Sequence, residues 1–373
     1  MDDHEDAFLA AVNTTLRTSV TAATERLRAI DPGLAPFAEL CLSAATVGGK
    51  RLRPRFAYWA WRTVVRHDEQ TARVVDVGAA LELLHAAILV HDDIIDDSEL
   101  RRGQPSVRTV LAGQHRTNGW AGSARGYGDH AALLIGDLMW GSAHDLFDAA
   151  VADLDPGRRR QAVDTFRVMR IEVVSGQLLE LRAQAAGDLA MSAAEKILQY
   201  KTSGYTVERP MQIGLELSGA GPDTAAALAG FARAIGHAFQ LRDDLADLFG
   251  NPVTSGKRGG DDIRAGKPTE LLGTALRLAS AAGRSALTDV VGRDDADDDE
   301  IEAVRAIFVD SGAVRAIIGR ITALAVTAAA ALRELPVGAG VDGSVVKSAL
   351  TSLMTECTDL SFLPVSLVVE REP

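Results

Sequence analysis

The sequence predicts an all-α protein, a single-domain bundle of long helices over residues 1–373. Apolar residues recur at helical spacing along most of the chain, and no alternating strand pattern of useful length interrupts them. Aromatic residues make up only 5% of the chain while alanine is abundant, which favours helices that pack closely. Because no internal repeat of roughly 20–50 residues is present, one large helical domain is the simplest organisation.

The first part of the chain is predicted to hold four helices. Turn signals end the first two, Asp31-Pro32-Gly33 and Gly48-Gly49. The fourth is strongly apolar in its middle, AALELLHAAILVH, and a helix that is apolar on most sides is normally buried. The predicted helices span residues 5–30, 36–47, 54–66 and 71–97.

Two long loops divide the rest of the chain. The glycine-rich polar stretch 102–130 is predicted to be a loop with short helical pieces, and 251–268 a second loop. The acidic run 294–300 is predicted to be a solvated loop or a helix start. The helices predicted between the loops span residues 131–152, 157–186, 192–218 and 223–249.

Charge and cysteine usage narrow the class of protein. A net charge of −12 disfavours binding of nucleic acid, although anionic substrates could still bind at a local basic cluster or through cations. Cys41 and Cys357 lie far apart, which argues against a disulfide framework or a structural zinc site and fits a reducing compartment. The acidic start lacks a secretory signal, and no segment approaches roughly 18 uninterrupted apolar residues. We therefore expect a cytoplasmic protein without a membrane span.

The main chemical signal is the cluster His91-Asp92-Asp93-Ile94-Ile95-Asp96-Asp97 at the end of the apolar helix. Asp92 and Asp96 are four residues apart and share one face of a helix, and Asp93 and Asp97 form an adjacent row. Such carboxylates repel one another unless a cation lies between them. Magnesium suits oxygen ligands of this kind and often shares them with substrate phosphates.

A second cluster, Gln240-Leu241-Arg242-Asp243-Asp244-Leu245-Ala246-Asp247, repeats the same Asp-Asp-x-x-Asp spacing. Either cluster alone could be an ordinary solvated helix end. Two copies of one spacing, each ending an apolar helix and each followed by basic residues, favour a metal site instead.

Basic residues accompany both clusters. They stand beside two glycines in Gly48-Gly49-Lys50-Arg51-Leu52-Arg53-Pro54, where the backbone can approach a phosphate closely, and they recur as Arg101-Arg102, Lys201, Lys257-Arg258 and Lys267. Each alone is more often a surface charge, but lysine and arginine together suit diphosphate recognition. His85 lies two turns before Asp92 on the same helix face, an alignment that favours ligand contact over the alternative of a satisfied core histidine.

Taken together, these motifs resemble the trans-isoprenyl diphosphate synthases, also called polyprenyl synthetases, over about residues 45–270. The catalytic motifs fall within 48–270, and the stretch GQHRTNGWAGSARGYGDHAALLIGDL is similar to actinobacterial geranylgeranyl-type members. The motifs occur in the family's order: GGKRLRP, LELLHAAILVHDDIIDDSELRRGQPS, GDLMW, GQLLE, KTSGYT, FQLRDDLADLFG and KRGGDDIRAGKPT.

The resemblance implies a helical bundle around a deep central cavity, usually a homodimer, that condenses isopentenyl diphosphate with an allylic diphosphate. It implies three Mg²⁺ ions held by Asp92, Asp96 and Asp243, with support from Asp93, Asp244 and Asp247. The allylic diphosphate would contact Arg101, Lys201, Gln240, Lys257 and Lys267. Isopentenyl diphosphate would contact Lys50, Arg51, His85 and Arg102. The reaction centre would be lined by Gln177 and Thr202.

Two segments depart from the family pattern. Where members often end the GQxxD segment with aspartate, this chain has Glu180, one methylene longer. The tail LPVSLVVEREP matches no family element.

The predicted product length depends on the helix positions before Asp92. Leu84, Ala87 and Ile88 would line the tail of the growing chain, and in this family aromatic residues at the last two positions close the cavity early. Neither residue is aromatic here, so we expect a product longer than farnesyl, geranylgeranyl above all. Met139 or Trp140 could supply the floor.

Other functions fit less well. A synthase of farnesyl diphosphate, or of products with twenty-five carbons or more, would use the same chemistry, with another residue forming the floor of the cavity. A class I terpene cyclase usually carries a different second metal motif and needs no second diphosphate site. A non-catalytic subunit would be expected to have lost aspartates, and an acidic interaction protein leaves the ordered motifs unexplained.

Overall fold

A computed structural model of the chain describes residues 3–66, 71–250, 259–364 and 367. Most of these are helical, and the strands found among them are two-residue segments, Leu100–Arg101 and Gln104–Pro105, paired antiparallel. The predicted all-α class is therefore confirmed.

The helices before residue 187 include a first 3₁₀ turn, Pro32–Leu34. The α-helices here are α1 (Asp3–Ile30), α2 (Ala35–Thr46), α3 (Leu52–Arg62), α4 (Ala72–Ile95), α5 (Val107–Thr117), α6 (Ala124–Ala150) and α7 (Pro156–Ala186). Helix α6 begins seven residues before the predicted start at 131, because the Ser123 hydroxyl accepts a hydrogen bond from the Gly126 amide and caps it there.

The helices after residue 187 include a π-helix, Leu198–Glu208. The predicted helix 192–218 is thus three consecutive segments, α8, the π-helix and α9. The α-helices are α8 (Met191–Ile197), α9 (Arg209–Ser218), α10 (Pro222–Phe249), α11 (Asp261–Arg264), α12 (Glu270–Leu278), α13 (Ala281–Val290), α14 (Asp298–Asp310), α15 (Ala313–Arg333) and α16 (Gly343–Cys357). The acidic run 294–300 does start a helix, since Asp297 and Glu300 form a capping box for α14.

The chain divides into two compact units. The first comprises Met1–Asp164, Ile213–Ala220 and Gly338–Val341. The second comprises Thr165–Gln212, Gly221–Val337 and Asp342–Pro373.

The first unit is built on the antiparallel packing of α4 against α6. His91 near the end of α4 meets Gly136 of α6, where a Cβ atom would come within 2.2 Å of the imidazole Nε2. At the other end, the Arg73 guanidinium pairs with Asp153 at 2.8 Å. The buried Glu5 joins α1 to α3, because its carboxylate pairs with Arg55 and accepts a hydrogen bond from the Trp59 indole at 2.7 Å.

In the second unit, α10 packs against α15 and the π-helix. Apolar side chains of α10, α12 and α14 form its buried core, among them Leu241, Leu245, Leu272 and Phe308. On α10, the buried Leu245 therefore directly follows Asp244 of the second aspartate cluster.

Among the residues that the structure describes, two helices, α4 and α15, are long and apolar enough to cross a membrane by length and composition. In α4, 72% of the apolar window is buried within the protein, as in the core helix of a globular protein, and in α15 the share is 28%.

Candidate active site

The first aspartate cluster closes α4 in the first unit, and an arginine already bridges it. Arg101, in the first short strand, donates from Nε to Asp93 Oδ1 at 2.8 Å and from Nη2 to Asp92 Oδ2 at 3.1 Å. Asp93 is buried, whereas Asp92 and Asp96 are partly accessible. Arg101, which follows the cluster in the sequence, thus folds back to contact Asp92 and Asp93.

Asp97 ends the cluster in a left-handed conformation, with φ 53°. Its carboxylate pairs with Arg108 of α5 at 2.5 Å and Arg125 of α6 at 3.0 Å, and Asp129 shares both arginines. This network ties the end of α4 to the next two helices.

The glycines before Lys50 make room for Arg102. Gly48 and Gly49 both have positive φ, and a Cβ on Gly49 would lie 2.8 Å from the Arg102 guanidinium. Arg102 Nη1 donates to the Val47 carbonyl at 2.6 Å, so this arginine lies across the turn that exposes Lys50.

Arg51, in contrast, points into the protein and contacts it through all three guanidinium nitrogens. It donates to Glu82 Oε2 at 2.8 Å, to Asn13 Oδ1 at 3.2 Å and to the Thr46 carbonyl at 3.0 Å. Its backbone is left-handed, with φ 52°, a strained conformation for a side chain other than glycine. Glu82 is itself 2% exposed, so the ion pair is buried.

His85 lies among cations. Burial and the nearby charges of Arg53, Arg102, Arg101 and Arg51 lower its pKa well below 6.5. Arg53, whose charge acts on His85, lies in the motif GGKRLRP but was not predicted as a ligand. The signal was present, because it follows Lys50 by three residues within one short motif. Arg51 and Arg53 are buried, Arg101 is partly accessible and Arg102 is exposed. Guanidinium ions grouped around a neutral imidazole are suited to an anion.

The second aspartate cluster closes α10 in the second unit. Asp243 pairs with Arg242 at 2.8 Å, and Gln240 donates to Asp244 Oδ1 at 2.6 Å. Asp247 accepts a hydrogen bond from the Asp262 amide at 3.2 Å. Burial, together with the charge of Asp262, raises the pKa of Asp244 well above 3.8.

Further residues surround this cluster, and among them only Lys267 was predicted from the sequence as a ligand. Lys267 pairs with Asp262 at 3.5 Å, and Glu270 pairs with His237 of α10 at 2.6 Å. Arg242 also donates to the Asp359 carbonyl at 3.1 Å, and its guanidinium lies 5.3 Å from the Phe362 ring centroid. The segment just after α16 therefore contacts the arginine that pairs with Asp243.

Lys201 and Thr202 lie in the π-helix, beside α7. Lys201 pairs with the buried Glu180, which also accepts a hydrogen bond from Gln177 at 3.2 Å. Glu180 therefore holds both Lys201 and Gln177. Lys257, which the family resemblance also assigned to the allylic diphosphate, lies outside the described residues.

The three positions predicted to control product length face different surroundings. Leu84 and Ala87 are fully buried, and Ile88 is partly accessible. The antiparallel register of α4 and α6, set by His91 with Gly136, puts Ala87 level with Met139 and Trp140. Met139 is buried and Trp140 is partly accessible.

The carboxylates suit magnesium in their chemistry, since all are hard oxygen donors. Within the part of the chain that the structure describes, no three histidine, cysteine, aspartate or glutamate side chains are gathered closely enough to hold an ion unaided. Asp92 and Asp243 each hold an arginine instead. A site completed by substrate oxygens, as magnesium prefers, is compatible with this arrangement.

Comparisons with known proteins agree with the resemblance. The polyprenyl synthetase family model matches residues 36–308. A short chain isoprenyl diphosphate synthase of Methanothermobacter thermautotrophicus is 30% identical over 284 residues, 75% of this chain and 80% of that protein. A geranylfarnesyl diphosphate synthase of Aeropyrum pernix is 31% identical over 272 residues, 72% of this chain and 77% of that protein.

Solved structures give the same result. The geranylgeranyl pyrophosphate synthase of Corynebacterium glutamicum, complexed with isoprenyl diphosphate and magnesium, matches with a TM-score of 0.88 and 31% identity, covering 95% of this chain and 99% of that one. These matches confirm the predicted fold and the predicted enzyme class, a transferase of prenyl groups. The chain belongs to the polyprenyl synthetase family.

Proposed function

We propose that this enzyme condenses isopentenyl diphosphate with an allylic diphosphate and that its main product is geranylgeranyl diphosphate. The observation that carries the proposal is the group of four arginines around His85, which lies two turns before Asp92 and Asp93 on α4. Such a group is suited to one diphosphate, and the metal-type carboxylates are suited to another. A two-substrate condensation requires both sites.

Arg53, Lys50, His85 and Arg102 are the proposed ligands of isopentenyl diphosphate. Arg51 was predicted to join them, but its three internal contacts favour a supporting role. In that role it would hold the turn before α3 against Glu82 and Asn13. The neutral state of His85 leaves its ring able to donate one hydrogen bond to a diphosphate oxygen.

The proposed cofactor for the allylic substrate is Mg²⁺. Asp92, Asp96 and Asp243 would hold three ions, with Asp93, Asp244 and Asp247 in support. When bound, Mg²⁺ supplies positive charge to the departing diphosphate. Other proposed contacts to the allylic diphosphate come from Arg101, Lys201, Gln240, Lys257 and Lys267.

In the proposed reaction, the bond between C1 and oxygen of the allylic substrate breaks, and its electron pair leaves with the diphosphate. Arg101 and Lys201 stabilise that charge at the transition state. The double bond of isopentenyl diphosphate then forms the new carbon–carbon bond, and a proton passes to the departed diphosphate. Gln177 and Thr202 line this reaction centre, and the surrounding apolar side chains keep water from the carbocation.

The proposed assembly is a homodimer in the cytoplasm, with 1–373 acting as one catalytic domain. Supporting the dimer is an apolar row on α7, whose members are 38–60% exposed and spaced as on one helix face. The row consists of Ile171, Val174, Leu178 and Leu181.

Incubation with Mg²⁺, isopentenyl diphosphate and dimethylallyl, geranyl or farnesyl diphosphate tests the function. We expect a twenty-carbon product from each starter. A fifteen-carbon stop, or a product of twenty-five carbons or more, would refute the proposed length and keep the chemistry. Cyclic hydrocarbon from a single diphosphate, with no condensation, would identify a terpene cyclase instead.

A further inference from the structure

Along one face of α7, residues at four-residue spacing contact the π-helix and its exit. Glu172, Gly176 and Glu180 lie one above another on a helix, since every fourth residue returns to the same side. Glu180 pairs with Lys201, and Gly176 meets the Lys201 backbone so closely that a Cβ would lie 2.3 Å from its nitrogen. These contacts fix the π-helix near its start.

Glu172 makes the matching contact at the other end. Its two carboxylate oxygens accept hydrogen bonds from the Arg209 guanidinium, one from Nε at 2.8 Å and one from Nη2 at 2.6 Å. Arg209 Nη1 donates further to Gln212 at 2.7 Å. Arg209 is the first residue after the π-helix, and its side chain is 27% exposed. The bidentate pair therefore fixes the direction of the arginine as well as its charge.

Inside the π-helix, Glu208 adds a third restraint. Its Oε1 accepts hydrogen bonds from Gln199 at 2.9 Å and from Ser203 at 3.0 Å. Both partners flank Lys201 and Thr202.

An 11-residue π-helix needs restraints of this kind. Hydrogen bonds from residue i to i+5 are uncommon and usually last a single turn, so the segment can relax toward ordinary α-helical bonding. Such relaxation changes the number of residues per turn, and it rotates the side chains in the segment relative to its ends. Lys201 and Thr202 would then point in new directions.

We propose that Glu172 and Arg209 are positioning residues, whose ion pair holds the π-helix in the register that presents Lys201 and Thr202 to the allylic substrate. This inference rests on the proposed roles of those two residues. Neither Glu172 nor Arg209 needs to touch a substrate.

Arg209→Gln tests the pair by steady-state kinetics. We expect kcat to fall at least tenfold and KM for the allylic diphosphate to rise several-fold, while KM for isopentenyl diphosphate stays within twofold. Arg209→Lys keeps the charge but loses the two parallel hydrogen bonds to Glu172, so its kcat should lie between those of wild type and Arg209→Gln. The double variant Glu172→Arg with Arg209→Glu should recover part of the lost kcat. Arg293→Gln, which breaks a bidentate pair with Glu300 on the surface, is the control and should leave all three constants unchanged.

Amide hydrogen exchange gives a readout that does not depend on turnover. We expect Arg209→Gln to speed exchange selectively across Leu198–Glu208. An Arg209→Gln enzyme with unchanged exchange there, or with both KM values raised equally, would overturn the proposal. A wild-type protein that condenses no substrate would refute the proposed function, whereas unchanged exchange would refute only the positioning role.

Discussion

Single residues in both aspartate clusters already carry counter-charges. Arg101 bridges Asp92 and Asp93, and Arg242 pairs with Asp243. An arginine lowers the repulsion between carboxylates that the aspartate spacing would otherwise cause. Because arginine also suits diphosphate, we expect Arg101 to contact substrate oxygens when Mg²⁺ is bound.

For the single residue His85, we predict an effect of pH on the free energy of unfolding. Burial and four nearby arginines lower its pKa in the folded chain, so the folded state disfavours the proton that the unfolded chain accepts below about pH 6.5. Stability linked to His85 is therefore complete above that pH and is lost as the pH falls. We expect wild type to lose up to about 1.4 kcal/mol per pH unit relative to His85→Gln between pH 6.5 and 5.5.

Denaturant unfolding of both proteins in chelator at pH 7.5, 6.5 and 5.5 measures this difference. His85 is partly accessible, so the measured loss should be smaller than for a fully buried residue. Parallel curves for wild type and His85→Gln over the whole range would contradict the prediction.

Ala87 gives a prediction about product length. It is fully buried on α4, level with Met139 and Trp140 of α6, and its side chain is the smallest of the three predicted to control product length. We expect Ala87→Phe to shift the main product to a shorter chain, measured by mass spectrometry of the dephosphorylated alcohols. Overpacking at a buried site costs roughly 1–3 kcal/mol, so Ala87→Leu serves as a milder second variant. An unchanged distribution in both would remove Ala87 from the cavity floor.

At the scale of elements, α7 supports the π-helix by approaching it at Gly176. In an open helix interior, Gly→Ala stabilises by roughly 0.8–1 kcal/mol. At Gly176 the new methyl would meet the Lys201 backbone nitrogen at 2.3 Å, and backbone cannot rotate out of the way. We expect Gly176→Ala to lower the unfolding free energy by about 1–3 kcal/mol and to reduce kcat more than tenfold.

Gly319→Ala is the matched control, because Gly319 lies in α15 of the same unit with nothing within 4 Å of a new Cβ. It should be neutral or stabilising and leave turnover intact. Equal effects of the two substitutions on unfolding and on turnover would show that the close approach at Gly176 is unimportant.

The sequence predicts most helices but not the π-helix, and the reason is physical. Apolar spacing over KTSGYTVE fits bonding to i+4 nearly as well as bonding to i+5 over so short a stretch. We attribute the π form to contacts with Glu172, Gly176 and Glu180 of α7. The local sequence pattern of the π-helix does not reveal these contacts. Arg51 and Arg53 illustrate the same limit, since the motif GGKRLRP cannot tell which arginine turns inward to Glu82.

At the scale of the whole molecule, exposed apolar side chains bear on how the chain assembles. Most apolar side chains of α6 and α7 face a core, but Leu133 and Leu134 on α6 are 47% and 67% exposed. The apolar row on α7, Ile171 to Leu181, is likewise exposed. An exposed apolar row such as the one on α7 often marks a contact with another protein. A second copy of the chain is the partner we propose.

Leu178→Glu tests that assembly. If the row on α7 is a dimer contact, wild type should elute with twice the 39.5 kDa of one chain in light-scattering chromatography. A carboxylate in the centre of an apolar contact should cost on the order of 3 kcal/mol, about a hundredfold in the dissociation constant, so the variant should be monomeric at micromolar concentration. Val326→Glu is the control, since Val326 on α15 is 63% exposed and lies outside the row. A wild-type monomer would refute the dimer, and a dimeric Leu178→Glu variant would place the contact elsewhere on the surface.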